Sequence, residues 1–157
     1  MTTSPTDLSG GVLPVRPYPG QAALERLVIP PSGSTRVYHV GLAAGRLMLQ
    51  RCCACGRCRI PMAPVCPYCD GEEVDWIAAS GQGHVVSFVH YTRAHLPEFE
   101  AVVPYTVLCV QLAEGPRMFG RLVGSDAAQI GQDVAVIIEQ WADGGRAPAF
   151  VGSGGEG

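Results

Sequence analysis

The chain has 157 residues, 47% of them apolar, and a net charge of −3. This is the size of one ordinary domain, or of one domain with a small added module, and it carries enough apolar residues for a core. All eleven cations are arginine, and the slightly acidic balance argues against a dedicated nucleic-acid binder, which carries a basic surplus.

Residues 1–33 are rich in Pro, Gly, Ser and Thr, as in "MTTSPTDLSGGVLPVRPYPG", and show no sustained period. They read as a flexible arm, ordered only against a partner. Within it "QAALERLV" spans two helical turns, too few to stand alone. Residues 34–48 read as a short helix and a lead-in strand. Ser34 is placed to cap the helix, Gly45 lies just past its end, and "RLMLQR" leads into the cysteines.

Residues 49–79 hold six of the seven cysteines, and prolines at 61, 64 and 67 exclude a helix there. Cys52-x2-Cys55 and Cys66-x2-Cys69 are two metal knuckles, ten residues apart. Each knuckle aims two thiolates at one ion, and Gly56 and Asp70 follow as the left-handed turns such knuckles need. Four thiolates in this arrangement make a closed tetrahedral site, the geometry of structural zinc at one ion per chain. Iron in a rubredoxin-like site is the chemical alternative. Cys53 and Cys58 complicate the register, because Cys55-x2-Cys58 is also a possible knuckle.

From residue 80 to 151 the texture turns to β. "GHVVSFVHYTR", "PYTVLCVQLAEG", "PRMFGRLVG", "QDVAVIIEQW" and "APAFV" are rich in Val, Ile, Phe and Tyr and bounded by turn residues. Thr106, Leu108, Val110 and Leu112 share one strand face, Glu114–Pro116 make a tight hairpin, and "SDAAQIG" allows a single helical turn before the fourth strand. Cys109 reads as a small core residue, His84 and His90 as two residues on one face of a strand, and Phe88, Tyr91, Tyr105 and Phe119 as core. The fold class expected is mainly β: an N-terminal helix, a four-cysteine zinc ribbon, then a small five-stranded barrel of OB type, with an SH3-like barrel as the alternative. Residues 152–157 read as a disordered tail.

No stretch reaches 18 apolar residues, and no secretory signal pattern opens the chain, so it is expected in the cytoplasm, away from membranes. In that compartment closely spaced cysteines serve as metal ligands rather than disulfides.

The segments "GRLMLQRCCACGRCRIPMAPVCPYC", "SGQGHVVSF", "VPYTVLCVQLAEGPRMFGRLVG", "IGQDVAVIIE" and "APAF", taken in order, resemble the rubredoxin-like zinc ribbon plus OB-fold proteins of the DUF35 family. The likeness covers residues 34–151. It implies an accessory subunit of an acyl-CoA-processing complex, joined as a hetero-complex to a thiolase-like enzyme (thiolase, acyltransferase or retro-aldol aldolase) and bearing no catalytic residues of its own. Consistent with that, no nucleophile–base motif, P-loop or G-x-G-x-x-G is present. If acyl-CoA meets this chain, Arg57, Arg59, Arg93 and His95 are the candidate contacts, since arginine forks suit the coenzyme's phosphates. The same cations would suit an RNA backbone, so a nucleic-acid-binding OB-fold and zinc-ribbon protein is the alternative reading.

Overall fold

Alternation of burial builds the larger sheet. In the computed structural model, which describes residues 11–19, 35–141 and 144–153, β6 (Tyr105–Leu112) buries every second side chain: Thr106, Leu108, Val110 and Leu112. Its neighbours β5 (Gln82–Tyr91) and β7 (Arg117–Arg121) pair with it antiparallel, joined on the β7 side by a hairpin in which Gly115 takes φ 108°. The fourth barrel strand, β8 (Asp133–Gln140), pairs with the start of β5, and β9 (Arg146–Gly152) pairs with β8 along its whole length. A parallel bridge from Leu122 to Phe150 closes β7 against β9. Five strands with the third closing parallel on the fifth make an OB barrel, filled by Val85, Leu108, Val110, Val134, Val136, Ile138 and the fully buried Phe150.

Part of the segment read as a flexible arm belongs to this barrel. Strand β1 (Val15–Pro17) lies parallel to the end of β8, which β5 has left, with Val15 opposite Ile138. Leu13 is buried in the core, and its N–H donates to the Gly45 carbonyl at 2.7 Å. The helical turns read at 21–28 and the Ser34 cap lie outside the described residues.

The helix α1 is Arg36–Ala43, well inside the chain rather than at its N-terminus, and its cap is Thr35, which makes no side-chain capping bond. It ends as read: Gly45 takes φ 76°, its N–H donates to Leu42 and the Arg46 N–H to Gly41, the paired bonds of a Schellman stop. The helix packs closely on the start of the strand that follows it at Gly41, where a Cβ would stand 2.3 Å from Met48 Cγ. A second sheet of three strands, β3 (Cys58–Arg59), β2 (Met48–Cys52) and β4 (Val74–Ala78), carries the cysteines. Leu47 and Leu49 beneath it join the barrel residues in one core, so the ribbon is seated on the barrel by apolar contact.

Three local readings are corrected. No helix forms at 125–131; the Ser125 hydroxyl accepts from the Ala127 N–H at 3.1 Å, a local turn that competes with helix. His84 and His90 do not share a face: the register shifts between Val85 and Ser87, so His84 lies opposite Gln111 and His90 opposite the buried Thr106. Nor do the four aromatics form core. Phe119 is 72% exposed and Phe88 44%, while Tyr91, Tyr105 and Cys109 lie half-buried on the β5–β6 face turned away from the core.

Candidate metal centre and barrel-face pocket

Two equivalent turns position the sulfurs. In the first knuckle the Gly56 N–H donates to the Cys52 carbonyl at 2.9 Å; in the second the Asp70 N–H donates to the Cys66 carbonyl at the same distance. Gly56 (φ 72°) and Asp70 (φ 59°) then take left-handed backbone, which lets each loop turn back over its sulfurs. Each knuckle's first N–H is also tied, Cys52 to the Arg57 carbonyl at 3.0 Å and Cys66 to the Gly71 carbonyl at 2.8 Å.

The result is that the Sγ atoms of Cys52, Cys55, Cys66 and Cys69 all lie within 4.8 Å of one another. Cys52 and Cys69 sulfurs are 3.6 Å apart, and Cys55 and Cys66 sulfurs 3.7 Å. Four sulfurs at tetrahedral zinc bonds would stand about 3.8 Å apart, so the donor set and its spacing fit the ion. Backbone amides face the sulfurs. The Cys55 N–H, aided by that of Ala54 and opposed by burial, brings the Cys52 thiol down to about 6, and the Tyr68 N–H lowers Cys66. The Gly71 N–H works the same way on Cys69, but the Cys55, Cys52 and Cys66 thiols outweigh it and push Cys69 up to about 12. A divalent cation relieves that crowding of negative charge. It would cross-link the two knuckles, and with four protein sulfurs there is no open position for a reacting molecule.

Cys53 and Cys58 stand outside this set. Cys53 is exposed, and partial loss of water around its sulfur followed by the Asp75 charge raises its thiol. Cys58 packs in part against the core and is raised chiefly by burial. Gly71 guards the sulfurs from behind: a Cβ there would lie 3.3 Å from Cys52 Sγ and 3.4 Å from Cys69 Sγ.

The candidate cofactor contacts separate into two kinds. Arg59 is 5% exposed; its Nε donates to Gln50 Oε1 at 2.8 Å and a terminal nitrogen to the Ala63 carbonyl at 2.9 Å. It therefore braces the loop between the knuckles, while its other terminal nitrogen is buried with no partner among the described residues. Arg57 is exposed, with its guanidinium 4.6 Å above the Tyr68 ring, beside a depression that Cys55, Cys58 and Glu114 also line. Arg93 and His95 are exposed on the long β5–β6 connection, where His95 sits edge-on to Tyr91.

Sequence reasoning missed a second site. A pocket of about 330 Å³ opens on the barrel face, walled by Tyr18, Phe99, Val102, Tyr105, Val107 and Trp141, among others. Its polar part is the ion pair of Arg121 and Glu139, with side chains 19% and 5% exposed. Arg121 also lies 5.5 Å above the Tyr18 ring. These residues come from β1, the β5–β6 connection and four barrel strands or their ends, and no spacing in the sequence joins them.

The comparisons agree with this architecture. Residues 76–139 match the family model described as the ChsH2 C-terminal OB-fold domain. The chain is 40% identical over 93 residues to a "Probable enoyl-CoA hydratase alpha subunit" of Thermomonospora curvata, covering 58% of this chain but only 28% of that protein. It is 30% identical over 95 residues to a DUF35 domain-containing scaffold protein of Methanothermobacter thermautotrophicus, covering 57% of this chain and 69% of that one. Among solved structures, a chain of an "Ltp2-ChsH2(DUF35) aldolase" superposes with a TM-score of 0.71 at 30% identity, over 80% of this chain and 99% of that chain. A metal-knuckle ribbon seated on an OB barrel, matched in sequence and in structure over most of a DUF35 scaffold, places this chain in the DUF35 family.

Proposed function

We propose that this chain is a non-catalytic, zinc-stabilised subunit that assembles with a thiolase-superfamily enzyme and helps it hold acyl-CoA in the cytoplasm. The observation that carries the reading is the likeness to the DUF35 chain of the Ltp2-ChsH2 aldolase, which runs over 99% of that chain. The closed four-sulfur set supports a structural rather than a reactive metal. No helix among the described residues is long and apolar enough to cross a membrane. Arg57, Arg59, Arg93 and His95 are the candidate contacts for the coenzyme, three of them exposed and Arg59 buried in the free chain.

Nucleic-acid binding is the weaker reading. Three of the barrel aromatics close on one another, Tyr91 stacked on Tyr105 at 5.0 Å and Phe99 against Tyr105 at 5.9 Å, which leaves Phe119 and Phe88 as the exposed rings, too few for a run of stacked bases. On the same barrel Arg121 is held by Glu139 and Arg117 donates to Gln111.

The test is co-expression with the thiolase-like protein encoded nearest to this chain, followed by light scattering and assay. One hetero-oligomer, with an enzyme that is poorly active or insoluble alone, is the expected outcome. Two separate species and a fully active lone enzyme would refute the proposal.

A further inference from the structure

Past the register shift between Val85 and Ser87, strands β5 and β8 part, and each is left with a vacated edge. Their pairing ends at Val85, whose N–H donates to the Gln132 carbonyl at 2.9 Å and whose carbonyl accepts from the Gly131 N–H at 2.7 Å. The vacated edge of β8 is filled by β1. The vacated edge of β5, from Ser87 to Tyr91, has no partner strand among the described residues.

Alternation along β6 fixes which backbone groups face that edge. The Thr106 carbonyl accepts from Leu122 and the Leu112 N–H donates to Pro116, so the even-numbered residues of β6 turn their backbone toward β7. Tyr105, Val107 and Cys109 then bond to the residues opposite them on β5, which are Tyr91, Val89 and Ser87. The N–H and C=O groups of Phe88 and His90 are left pointing out of the vacated edge, which runs for about 17 Å. This end of β5 is held in place. The Thr106 hydroxyl donates to the Asp126 carbonyl at 3.1 Å, so it accepts from His90 Nδ1 at 2.9 Å.

Ser87, Phe88, Val89 and His90 are all exposed, Phe88 by 44% and Val89 by 45%. No acid, arginine, lysine or proline lies between Val85 and Thr92. Open edges of native sheets carry such guards, because a bare apolar edge pairs with strands it meets. An edge without them is built to be covered.

We propose that this edge pairs antiparallel with the same edge of a second copy of the chain, about a two-fold axis at Val89. The pattern of outward groups is its own complement. Phe88 exchanges N–H···O bonds with the partner's His90, and His90 with the partner's Phe88, about four bonds in all. Val89 faces the partner's Val89 at the close, non-hydrogen-bonded position, and Ser87 faces the partner's Tyr91. No charge opposes another. Five residues a side bury less than the roughly 800 Å² per partner of a standard interface, so the dimer dissociates in the micromolar range. The proposal stands whether or not the chain has an enzyme partner.

Sedimentation of the full chain from about 1 μM to about 1 mM tests it. The parent should pass from monomer to dimer. Val89→Arg and Val89→Asp each set like charges face to face at an exposed position, and each should weaken the dimer by about tenfold or more. Mixing the two variants should restore association, because opposite charges then meet across the strands. Hydrogen exchange locates the contact: the Phe88 and His90 amides should slow only where dimer is populated, while those of Ser87, Val89 and Tyr91 are slow throughout. A chain monomeric at all concentrations, a dimer indifferent to Val89→Arg, or variants that stay apart on mixing would overturn the proposal. So would Phe88 and His90 amides already protected in the monomer, since another segment of the chain would then cover the edge.

Discussion

The Arg121–Glu139 pair is the sharpest energetic test of the barrel-face site. Glu139 lies on β8 with its side chain 5% exposed, and Arg121 on β7 at 19%. Removing one partner of a buried pair leaves an uncompensated charge and costs about 3–5 kcal/mol. Glu139→Leu should fall at the lower end, about 3 kcal/mol, because Arg121 keeps some water contact and the Tyr18 ring, a cation–π contact of roughly 0.5–2 kcal/mol. Arg121→Leu should cost more, about 4 kcal/mol, since the Glu139 carboxylate then has almost no solvent and no cation. The double variant Arg121→Leu/Glu139→Leu removes both charges from an apolar-walled pocket and should lie within about 1 kcal/mol of the parent, because apolar replacement of a buried pair is often neutral. The singles sum to about 7 kcal/mol, so the cycle should show a coupling of several kcal/mol. Urea unfolding at fixed zinc concentration, followed by tryptophan fluorescence, measures it: with a slope of about 1–3 kcal/mol per molar, a loss of 3 kcal/mol moves the midpoint by about 1 M or more. A double variant as destabilised as the two singles added together would refute the reasoning and show the pair to be solvated.

Metal analysis of the purified chain should find one zinc, lost or much reduced in Cys52→Ser, Cys55→Ser, Cys66→Ser and Cys69→Ser and kept in Cys53→Ser and Cys58→Ser; zinc lost from Cys53→Ser but kept in Cys52→Ser would reverse the register. Gly120→Ala should destabilise by about 1–3 kcal/mol, read by the same unfolding assay, because its Cβ would stand 2.7 Å from a ring carbon of the fully buried Phe150 and 3.2 Å from the Pro148 carbonyl. Burial pushes Tyr38 up to about 12 from its ordinary 10.0. The unfolded tyrosine therefore ionises first, and stability present below pH 10 drains away as pH rises toward 12, by on the order of 2–3 kcal/mol at 1.36 kcal/mol per pKa unit. Tyr38→Phe should flatten that part of the profile, and an unchanged slope would show that Tyr38 is solvated.

What could be read in advance was what is local. A knuckle closes within four residues, and its left-handed turn falls on the next one, so Gly56 and Asp70 announce both loops in the primary sequence. The barrel strands were legible for a similar reason, because burial alternates along β6 with period 2. Period-counting failed where a single residue broke it. The register shift near Val86 turns His90 toward Thr106 and leaves His84 beside Gln111, and nothing in "HVVSFVH" marks that residue as extra. Arg59 failed differently. It stands in the sequence near exposed arginines, yet its Nε and one terminal nitrogen are taken by Gln50 and the Ala63 carbonyl, partners that only the folded ribbon brings near. The barrel-face pocket is the extreme case. Tyr18 comes from a segment whose composition resembles a linker, and it reaches Arg121 and Glu139 only because β1 occupies the edge of β8 that β5 abandons. The curling of one barrel strand thus creates both the vacancy that orders residues 11–19 and the wall that Tyr18 supplies. If β1 were displaced from β8, the pocket would lose its Tyr18 wall and Arg121 the ring beneath it, so docking of residues 11–19 and the shape of the barrel-face pocket should rise and fall together.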